Sequence, residues 1–251
     1  MQKTWSNQVN KNFNEAALNY NESAAIQKST ALQLAKICSH QAIKNGLWVD
    51  LGSGTGLLAK SLEDLHPNQY VLRLDNSQQM LDQHSAISTK QLWDLNNGLP
   101  KWPEEPSLLA SSFVLHWLDN PQEQLKEWFH SLSTDGWIAL AIPIKGSFPE
   151  WYEAAEEAKL TCTALDLPSY DSLLRVVPNQ SILYNKIEII KNTAERPTSL
   201  LKPMIEVGAH SSHKKQLSIS DWRHLLSAWP VSNKDQQFSL SWCIQFLLIK
   251  R

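Results

Sequence analysis

The stretch "WVDLGSGTGLLAK" at residues 48–60 places glycines at three alternate positions directly after a short apolar run. Gly52, Gly54 and Gly56 are three of only eight glycines in the 251-residue chain. Glycine tolerates positive φ and lets a ligand approach the main chain closely. A dinucleotide fingerprint would have its third glycine where a leucine stands, and the Gly-Lys-Ser/Thr ending of a phosphate loop is missing. Asp50 precedes the loop by two residues and favours a cationic ligand over a pyrophosphate.

Two further carboxylates are expected at the ends of neighbouring strands. Asp75 closes "YVLRLD" (70–75), and Asp94 lies near the end of "KQLWDL" (90–95). Ligands of open α/β sheets bind at the carboxyl ends of the strands. There Asp75 could accept both ribose hydroxyls of a nucleoside, Asp94 could accept the adenine amino group, and Met80 could pack beneath the adenine ring. A ligand with an ammonium group and a nucleoside but no phosphate fits these demands, and the sequence therefore predicts S-adenosylmethionine as cofactor.

The elements that position these residues follow from hydrophobic periodicity. From about residue 46, short apolar runs alternate with helical patterns, which is typical of a parallel sheet with crossover helices. The fold class expected is α/β, Rossmann-like, with a seven-stranded, mostly parallel sheet. The predicted strands cover 47–51, 70–75, 90–95, a part of 107–117, 137–143, 182–191 and 238–250. The predicted helices cover 57–65, 77–86 with Ser77 as N-cap, 121–132 with Pro121 in the first turn, 147–160, 169–177, 199–209 with a kink or late start at Pro203, and a last helix capped by Ser220 and Asp221 that runs to Trp229.

Length and composition predict one folded domain over residues 1–251. Residues 1–45 are expected to form a helical cover, and residues 146–178 a helical insertion that lies over the strand ends as a lid. A net charge of −2 gives no global basic field for nucleic acid. No apolar run is long enough for a bilayer crossing. The three cysteines are scattered without ligand spacing and indicate free thiols in a reducing cytoplasm; they are Cys38, Cys162 and Cys243.

The motifs also carry a resemblance to known proteins. "VDLGSGTG", "LDNSQQML" and the "DGW" turn are similar to many class I S-adenosylmethionine-dependent methyltransferases. Four further stretches resemble the malonyl-acyl-carrier-protein O-methyltransferases of biotin synthesis, and together they extend over nearly the whole chain. These stretches are 13–27, 112–121, 146–151 and 225–251. The resemblance implies methylation of the free carboxylate of a malonyl thioester, which masks a charge so that fatty-acid elongation can extend the primer toward pimelate.

Within this match, Tyr20 falls on the N-terminal tyrosine that folds over the cofactor, and Gln27 on the glutamine that follows it. The sequence departs from the family at Glu15, where a basic residue is usual, and at Lys202 and Ile205, where a Lys or Arg pair is frequent. The full cofactor site predicted from the strand ends and the resemblance comprises Gln27, Asp50, Gly52, Ser53, Gly54, Gly56, Asp75, Asn76, Met80, Asp94, Leu95 and Ser111.

Methyl transfer to a carboxylate requires no general base, because the acid is already ionised at neutral pH. The sequence agrees, since it offers no nucleophile triad and its eight histidines show no metal-ligand spacing. What catalysis requires is orientation and exclusion of water. Tyr20 is the candidate that hydrogen-bonds or encloses the acceptor, with Lys202 and then Lys145 as the orienting cation. Trp117 and Trp151 are candidate walls of a channel for the phosphopantetheine arm.

The partner that the resemblance implies is an acidic acyl carrier protein, so a basic docking surface is expected. Lys214 and Lys215, with Arg223 and Lys202, are its candidates. Three alternatives stay open from the sequence: coenzyme A as the thioester carrier, a methyltransferase acting on another small carboxylic acid, and a non-catalytic protein that keeps the fold without the cofactor.

Overall fold

The computed structural model describes residues 2–231 and 237–251, with side chains described from residue 5 onward. Helices and strands alternate through the first part of the chain, and two long strands complete it. The helices are α1 (Gln2–Ala16), α2 (Tyr20–Ser23), α3 (Ala25–Ser39), α4 (Leu57–Leu65), α5 (Gln78–Leu81), α6 (Pro121–Ser131), α7 (Pro149–Glu157), α8 (Tyr170–Leu174), α9 (Pro197–Glu206) and α10 (Ile219–Ser227). The strands are β1 (Trp48–Leu51), β2 (Val71–Asp75), β3 (Lys90–Leu92), β4 (Leu108–Ser112), β5 (Trp137–Pro143), β6 (Ile182–Ala194) and β7 (Phe238–Lys250).

The seven strands form one sheet in the order β3-β2-β1-β4-β5-β7-β6. β1 to β5 are parallel, while β7 runs antiparallel between β5 and β6. The predicted α/β class with a seven-stranded, mostly parallel sheet is thus confirmed. The strand order reverses between β1 and β4, and the glycine loop follows β1. The loop therefore lies at the topological switch point, where open α/β sheets bind their ligands.

The central strands are buried on both faces, which explains their continuous apolar sequences. All seven residues of β5 are buried. Ala139 and Ala141 pack into the core formed with α3 and α4, whereas Ile138 and Leu140 pack into the core on the other face with α6. β5 therefore lies between two helical layers, one on each face of the sheet.

Helices α1 to α3 precede the first strand, and α1 is fastened to the rest of the fold at two places. Asn10 Nδ2 donates to the Asn76 carbonyl at the end of β2 (2.7 Å). Asn12 Nδ2 donates to Ser211 Oγ (2.8 Å), and an added Cβ at Gly208 would lie only 2.7 Å from the Asn12 carbonyl oxygen. The helix therefore spans the carboxyl edge of the sheet, from β2 to the segment after α9.

The helical insertion after β5 is anchored to the sheet through α7. Glu150 accepts hydrogen bonds from the Ser241 N–H (2.9 Å) and Oγ (2.6 Å) and from Ser239 Oγ (3.2 Å). Phe148 caps α7 at φ 65° and donates its N–H to the Ser241 carbonyl (2.7 Å). These contacts hold the insertion against β7, while its loop after α7 reaches toward the strand ends.

Several predicted boundaries differ from the structure. The fourth strand lies within the expected stretch 107–117 and ends at Ser112, because Phe113 takes a positive φ of 59° and the chain turns into a 3₁₀ turn at Leu115–Trp117. β3 ends at Leu92, and Asp94 caps a 3₁₀ turn instead of extending the strand. Helices α5, α7 and α8 are each shorter than predicted. Helix α9 begins two residues earlier than predicted and runs through Pro203. Strand β6 continues beyond its predicted end to Ala194.

Of the two predicted caps of the last helix, Ser220 is wrong and Asp221 is confirmed as part of the cap. Ser218, not Ser220, is the N-cap of α10, and its hydroxyl accepts the Asp221 N–H (3.1 Å). Asp221 is the third helical residue and completes a capping box with Ser218. The three cysteines are free, as predicted. Within the described residues, no helix combines the length and apolarity that a bilayer crossing requires.

Candidate functional site

The glycine loop is held against β2 by its own backbone. The N–H groups of Gly52 and Ser53 both donate to the Leu74 carbonyl (2.8 Å each). The Gly54 N–H donates to Asp75 Oδ2 (2.8 Å). Three successive donors are thus directed at the end of the neighbouring strand. A chain that turns back on itself in this way needs positive φ, which Gly52 (73°) and Gly54 (52°) supply.

The three glycines of the loop have different surroundings. A Cβ on Gly52 would lie 2.4 Å from a Val114 methyl group, and one on Gly56 would lie 2.6 Å from the His84 ring. A Cβ on Gly54 would meet no atom within 4 Å. Gly52 and Gly56 therefore allow close packing within the protein. Gly54 instead presents bare backbone to open space, as a closely approaching ligand requires.

Asp75 occupies the end of β2 and links the loop to the next helix. Its Oδ2 accepts the Gly54 N–H, and its Oδ1 accepts the Ser77 N–H (2.8 Å). Burial raises the pKa of Asp75, although these backbone N–H groups oppose the rise. Each carboxylate oxygen has a further lone pair. Asp75 can therefore accept two ligand hydroxyls while both oxygens stay fixed by the backbone.

Asp50 is almost fully buried in β1. Its Oδ2 accepts the Ala59 N–H (2.9 Å), which positions the first turns of α4. Burial raises the pKa of Asp50 to about 7, opposed by the Ala59 N–H and the positive charge of Arg73. An ammonium group close to Asp50 would favour the ionised carboxylate and lower that pKa again.

Two joined cavities surround the loop. One, of about 720 Å³, lies over the ends of β2 and β3, and the other, of about 330 Å³, lies over β1. Both are lined by Tyr20, Gly52, Gly54 and Ser112. The predicted cofactor residues that line one or both are Gln27, Asp50, Gly52, Ser53, Gly54, Asp75, Asn76, Met80, Asp94 and Leu95. The carboxylates, the bare backbone at Gly54 and the buried Met80 fit the ammonium, ribose and adenine of S-adenosylmethionine.

Two predicted cofactor residues do not line these cavities. Ser111 is buried, and its Oγ donates to the Leu51 carbonyl (2.9 Å), so the hydroxyl faces the neighbouring strand. The next residue, Ser112, lines both cavities, because successive side chains of a strand point to opposite faces. Gly56 is buried under His84, whose Nε2 lies 2.8 Å from the Gly54 carbonyl oxygen.

A third cavity, of about 590 Å³, adjoins the other two and is mostly apolar. It lies between α1, the turn after β4, the insertion and the segment after α9. Tyr20 lines all three cavities, and Phe13, Phe113 and Trp117 line both this one and the largest. The remaining lining residues are Gln27, His116, Pro143, Phe148, Trp151, Thr163, Ala164, Leu165, Leu167, Met204, Val207, Ala209, His210, Ser211 and Trp242.

Tyr20 is the residue at which the cavities meet. Burial and the negative charge of Asp75 raise the pKa of Tyr20, so its hydroxyl stays protonated and can donate. The two tryptophans predicted as channel walls, Trp117 and Trp151, both line the third cavity.

The predicted cations lie elsewhere. Lys202 is on the exposed side of α9, where its ammonium pairs with Glu206 at 3.4 Å. Lys145 is exposed, and neither lysine is among the described residues that line the three cavities. Lys214 fastens the insertion, because its ammonium donates to Asp166 (2.9 Å) and to the Ala164 carbonyl (3.1 Å).

Sequence reasoning missed several cavity residues. Phe113 and Phe148 both adopt left-handed backbone (φ 59° and 65°), which no pattern of a single sequence announces for phenylalanine. His116 lies in the stretch 112–121, but no metal-ligand spacing distinguishes it from the other seven histidines. Thr163 lies in a loop without any motif. Positions of this kind depend on how distant segments meet.

The different surroundings of the glycines generate a paired prediction. We expect Gly54→Ala to weaken S-adenosylmethionine binding by about tenfold or more, because its methyl group enters the ligand space, with a stability loss limited to the roughly 1–2 kcal/mol of left-handed alanine. Gly52→Ala should lose about 3 kcal/mol or more, since strain adds to the overlap with Val114. Calorimetric titration and urea unfolding measure the two effects. Equal losses of stability in both variants would contradict the assignment.

The buried Asp50 generates a prediction of pH dependence. The pKa of Asp50 stands at about 7 in the protein without ligand, and an adjacent ammonium group should lower it. Binding of S-adenosylmethionine should therefore release a proton and become tighter as the pH rises through 7. Titration calorimetry in two buffers of different ionisation enthalpy measures the release. Asp50→Asn should bind more weakly without this release, and equal release in both proteins would rule Asp50 out.

Comparison with known proteins agrees with this geometry. Residues 49–140 match a family model described as a methyltransferase domain. A malonyl-[acyl-carrier protein] O-methyltransferase 2 of Coxiella burnetii is 22% identical over 248 residues, covering 97% of this chain and 95% of the relative. One from Bacillus anthracis is 24% identical over 161 residues (60% and 58%). A trans-aconitate 2-methyltransferase of Mycobacterium tuberculosis is 30% identical over 132 residues, and this chain spans about half of its length (52% and 47%).

Solved structures show the same fold at low sequence identity. A candidate methyltransferase of Bacillus halodurans superimposes with a TM-score of 0.58 at 14% identity, covering 86% of this chain and 97% of that one. The plantazolicin methyltransferase BpumL, solved with S-adenosylhomocysteine (SAH), gives 0.53 at 12% identity, covering 99% and 98%. The chain therefore has the class I methyltransferase fold, its residues 49–140 match a methyltransferase domain, and its cofactor is S-adenosylmethionine.

Proposed function

We propose that this methyltransferase esterifies the free carboxylate of a malonyl thioester carried by acyl carrier protein. The observation that carries the proposal is the third cavity, which is walled by aromatic and aliphatic side chains and meets the cofactor cavities at Tyr20. S-adenosylmethionine supplies an electrophilic methyl group. The chain has to hold an acceptor oxygen beside it and keep water away.

The chemistry of the third cavity suits an acid as acceptor. A carboxylate is ionised at neutral pH and needs no base to activate it. Burial lowers the pKa of His116 in this cavity to about 3, which leaves the imidazole a weak base. A hydroxyl or ammonium acceptor would have to lose a proton, and this imidazole could not take it efficiently. Of the two histidines that line the cavity, the buried His116 is thus a poor base, which favours an acceptor that arrives already deprotonated.

The walls of the cavity also favour a reactive carboxylate. No lysine or arginine is among the described residues that line it. An acceptor that enters such a cavity loses its water shell without gaining a full ion pair, so its oxygen keeps much of its nucleophilicity. The apolar walls, including Trp151 and Trp242, would accommodate an acyl chain and the phosphopantetheine arm.

Two groups of relatives with different named substrates support a carboxylate acceptor. The malonyl-[acyl-carrier protein] O-methyltransferases match by name, and one of them along 95% of its length. The trans-aconitate 2-methyltransferase shares a higher identity over a shorter range. A small free acid is therefore the second candidate acceptor. For the carrier protein, Lys215 and Arg223 stay exposed and available as part of a basic docking surface.

Transfer of a labelled methyl group from the cofactor tests the proposal. Malonyl-acyl carrier protein is the substrate, acetyl-acyl carrier protein is the control without a free carboxylate, and trans-aconitate represents the small acids. We expect labelling of the malonyl form alone, with a methyl ester that mild base removes. Labelling of trans-aconitate in preference would support the second candidate, and labelling of the acetyl form would overturn the carboxylate acceptor.

The position of Tyr20 generates a prediction for turnover. Tyr20→Phe should lower kcat by about 10- to 100-fold, the value of one hydrogen bond to a charged group, and change cofactor affinity by less than about threefold. Tyr70→Phe is the matched control, because Tyr70 is 83% exposed. Steady-state kinetics and calorimetric titration separate the two quantities. An unchanged kcat in Tyr20→Phe would show that the Tyr20 hydroxyl takes no part in the reaction.

A further inference from the structure

Polar atoms without a partner cluster around the third cavity. His116 Nδ1 and Thr163 Oγ1 are buried, and neither has a hydrogen-bond partner within the part of the chain that the structure describes. Buried polar atoms of folded proteins nearly always have a partner. Both residues line the cavity that the proposed function assigns to the acceptor. Their missing partners are therefore expected to be atoms of a ligand.

His116 is placed where acceptor and cofactor meet. It lies in the 3₁₀ turn that follows β4, at the switch point of the sheet. Its ring centroid is 4.9 Å from that of Trp117 and 6.4 Å from that of Phe113. Both aromatic residues line the acceptor cavity and the largest cofactor cavity. The imidazole is thus held by two aromatic residues that line both the acceptor cavity and the largest cofactor cavity.

Thr163 approaches the same cavity from the opposite part of the fold. It lies in the loop after α7, which the Glu150 contacts and the Lys214–Ala164 hydrogen bond hold in place. Thr163 is 9% exposed. The turn after β4 therefore brings a buried imidazole to the acceptor cavity and the insertion brings a buried hydroxyl, beside the indole N–H groups of Trp151 and Trp242.

We propose that His116 and Thr163 bind the acceptor carboxylate, through the imidazole N–H and the hydroxyl, in place of a cationic side chain. This inference rests on the proposed carboxylate acceptor. A neutral imidazole has one N–H donor, and a threonine hydroxyl has another. Two neutral donors orient an anion and leave lone pairs on its oxygen for attack. The acetyl form, which lacks the carboxylate, would leave both donors without partners, and this discriminates against it.

The test uses the full chain with Thr163→Val, His116→Ala, His116→Asn and His116→Gln. Thr163→Val removes the hydroxyl at nearly constant shape, so it is the variant least exposed to misfolding. Asparagine places an amide N–H near the position of Nδ1, and glutamine places one near Nε2. His40→Asn is the control, because the exposed His40 ring contacts the Lys36 carbonyl of its own helix.

We expect Thr163→Val and His116→Ala to raise the KM for malonyl-acyl carrier protein by about tenfold or more, with the cofactor Kd changed less than twofold. One of the two amide variants should recover most of the loss, which identifies the donating nitrogen. An unchanged KM in both Thr163→Val and His116→Ala would overturn the proposal. So would an increase shared by all His116 variants together with a weaker cofactor Kd, since that would show a structural role.

The failure of the inference is distinguishable from the failure of the proposed function. If the wild-type protein methylates trans-aconitate but not malonyl-acyl carrier protein, the malonyl substrate is wrong, and the same variants measured on trans-aconitate decide about His116 and Thr163. If it methylates neither acid, both proposals are overturned.

Discussion

The hydrogen bond from the Gly54 N–H to Asp75 (2.8 Å) is the constraint on which the rest of the site depends. It joins the loop after β1 to the end of β2, beside the two N–H groups that already donate to Leu74. The loop is thereby fixed before any ligand arrives, and the cost of ordering it is met during folding. Because the loop is held against the end of β2, Val114 can pack directly on Gly52. This packing sets the position of the turn after β4.

The same constraint brings the acceptor to the cofactor. The turn after β4 carries Phe113 and Trp117, which form a wall shared by the acceptor cavity and the largest cofactor cavity. Helix α1 covers this wall, since the ring centroid of Phe13 lies 5.7 Å from that of Trp117 in an edge-to-face contact. A common aromatic wall limits how an acceptor can enter, so the reacting groups are oriented by packing. Such orientation is a large part of what a displacement reaction needs from a protein.

Much of the cofactor site could be predicted from the sequence, because its signals are local. Three glycines after a strand, and an acid at the end of that strand and the next, are fixed by the geometry of a few neighbouring residues. The face of a strand residue is less certain, since a shift by one position reverses it. In the structure Ser112, and not the predicted Ser111, lines the cofactor cavities. The seven-stranded sheet followed from the periodicity of the whole chain.

The acceptor site could not be predicted in the same way. It is assembled from α1, the turn after β4, the insertion and the segment after α9. These four parts are far apart in the sequence, so no local sequence pattern shows that they meet. Lys202 was the first candidate for the cation that orients the acceptor, yet its side chain is exposed and its ammonium pairs with Glu206. His116 had no spacing that marked it. Its importance follows only from burial and the missing partner, which are properties of the folded protein.

The affinity of Asp75→Ala for S-adenosylmethionine, measured by calorimetric titration, tests the strand-end site most directly. The matched control is Asp82→Ala. Asp82 is exposed, its carboxylate accepts from Gln78 Nε2 (2.7 Å), its N–H donates to the Gln78 carbonyl (2.9 Å), and it is not among the described residues that line the three cavities. We predict a Kd raised by about tenfold or more in Asp75→Ala, the loss of one or two charge-assisted hydrogen bonds, and an unchanged Kd in the control. An unchanged Kd in a folded Asp75→Ala protein would contradict the placement of the cofactor at the end of β2.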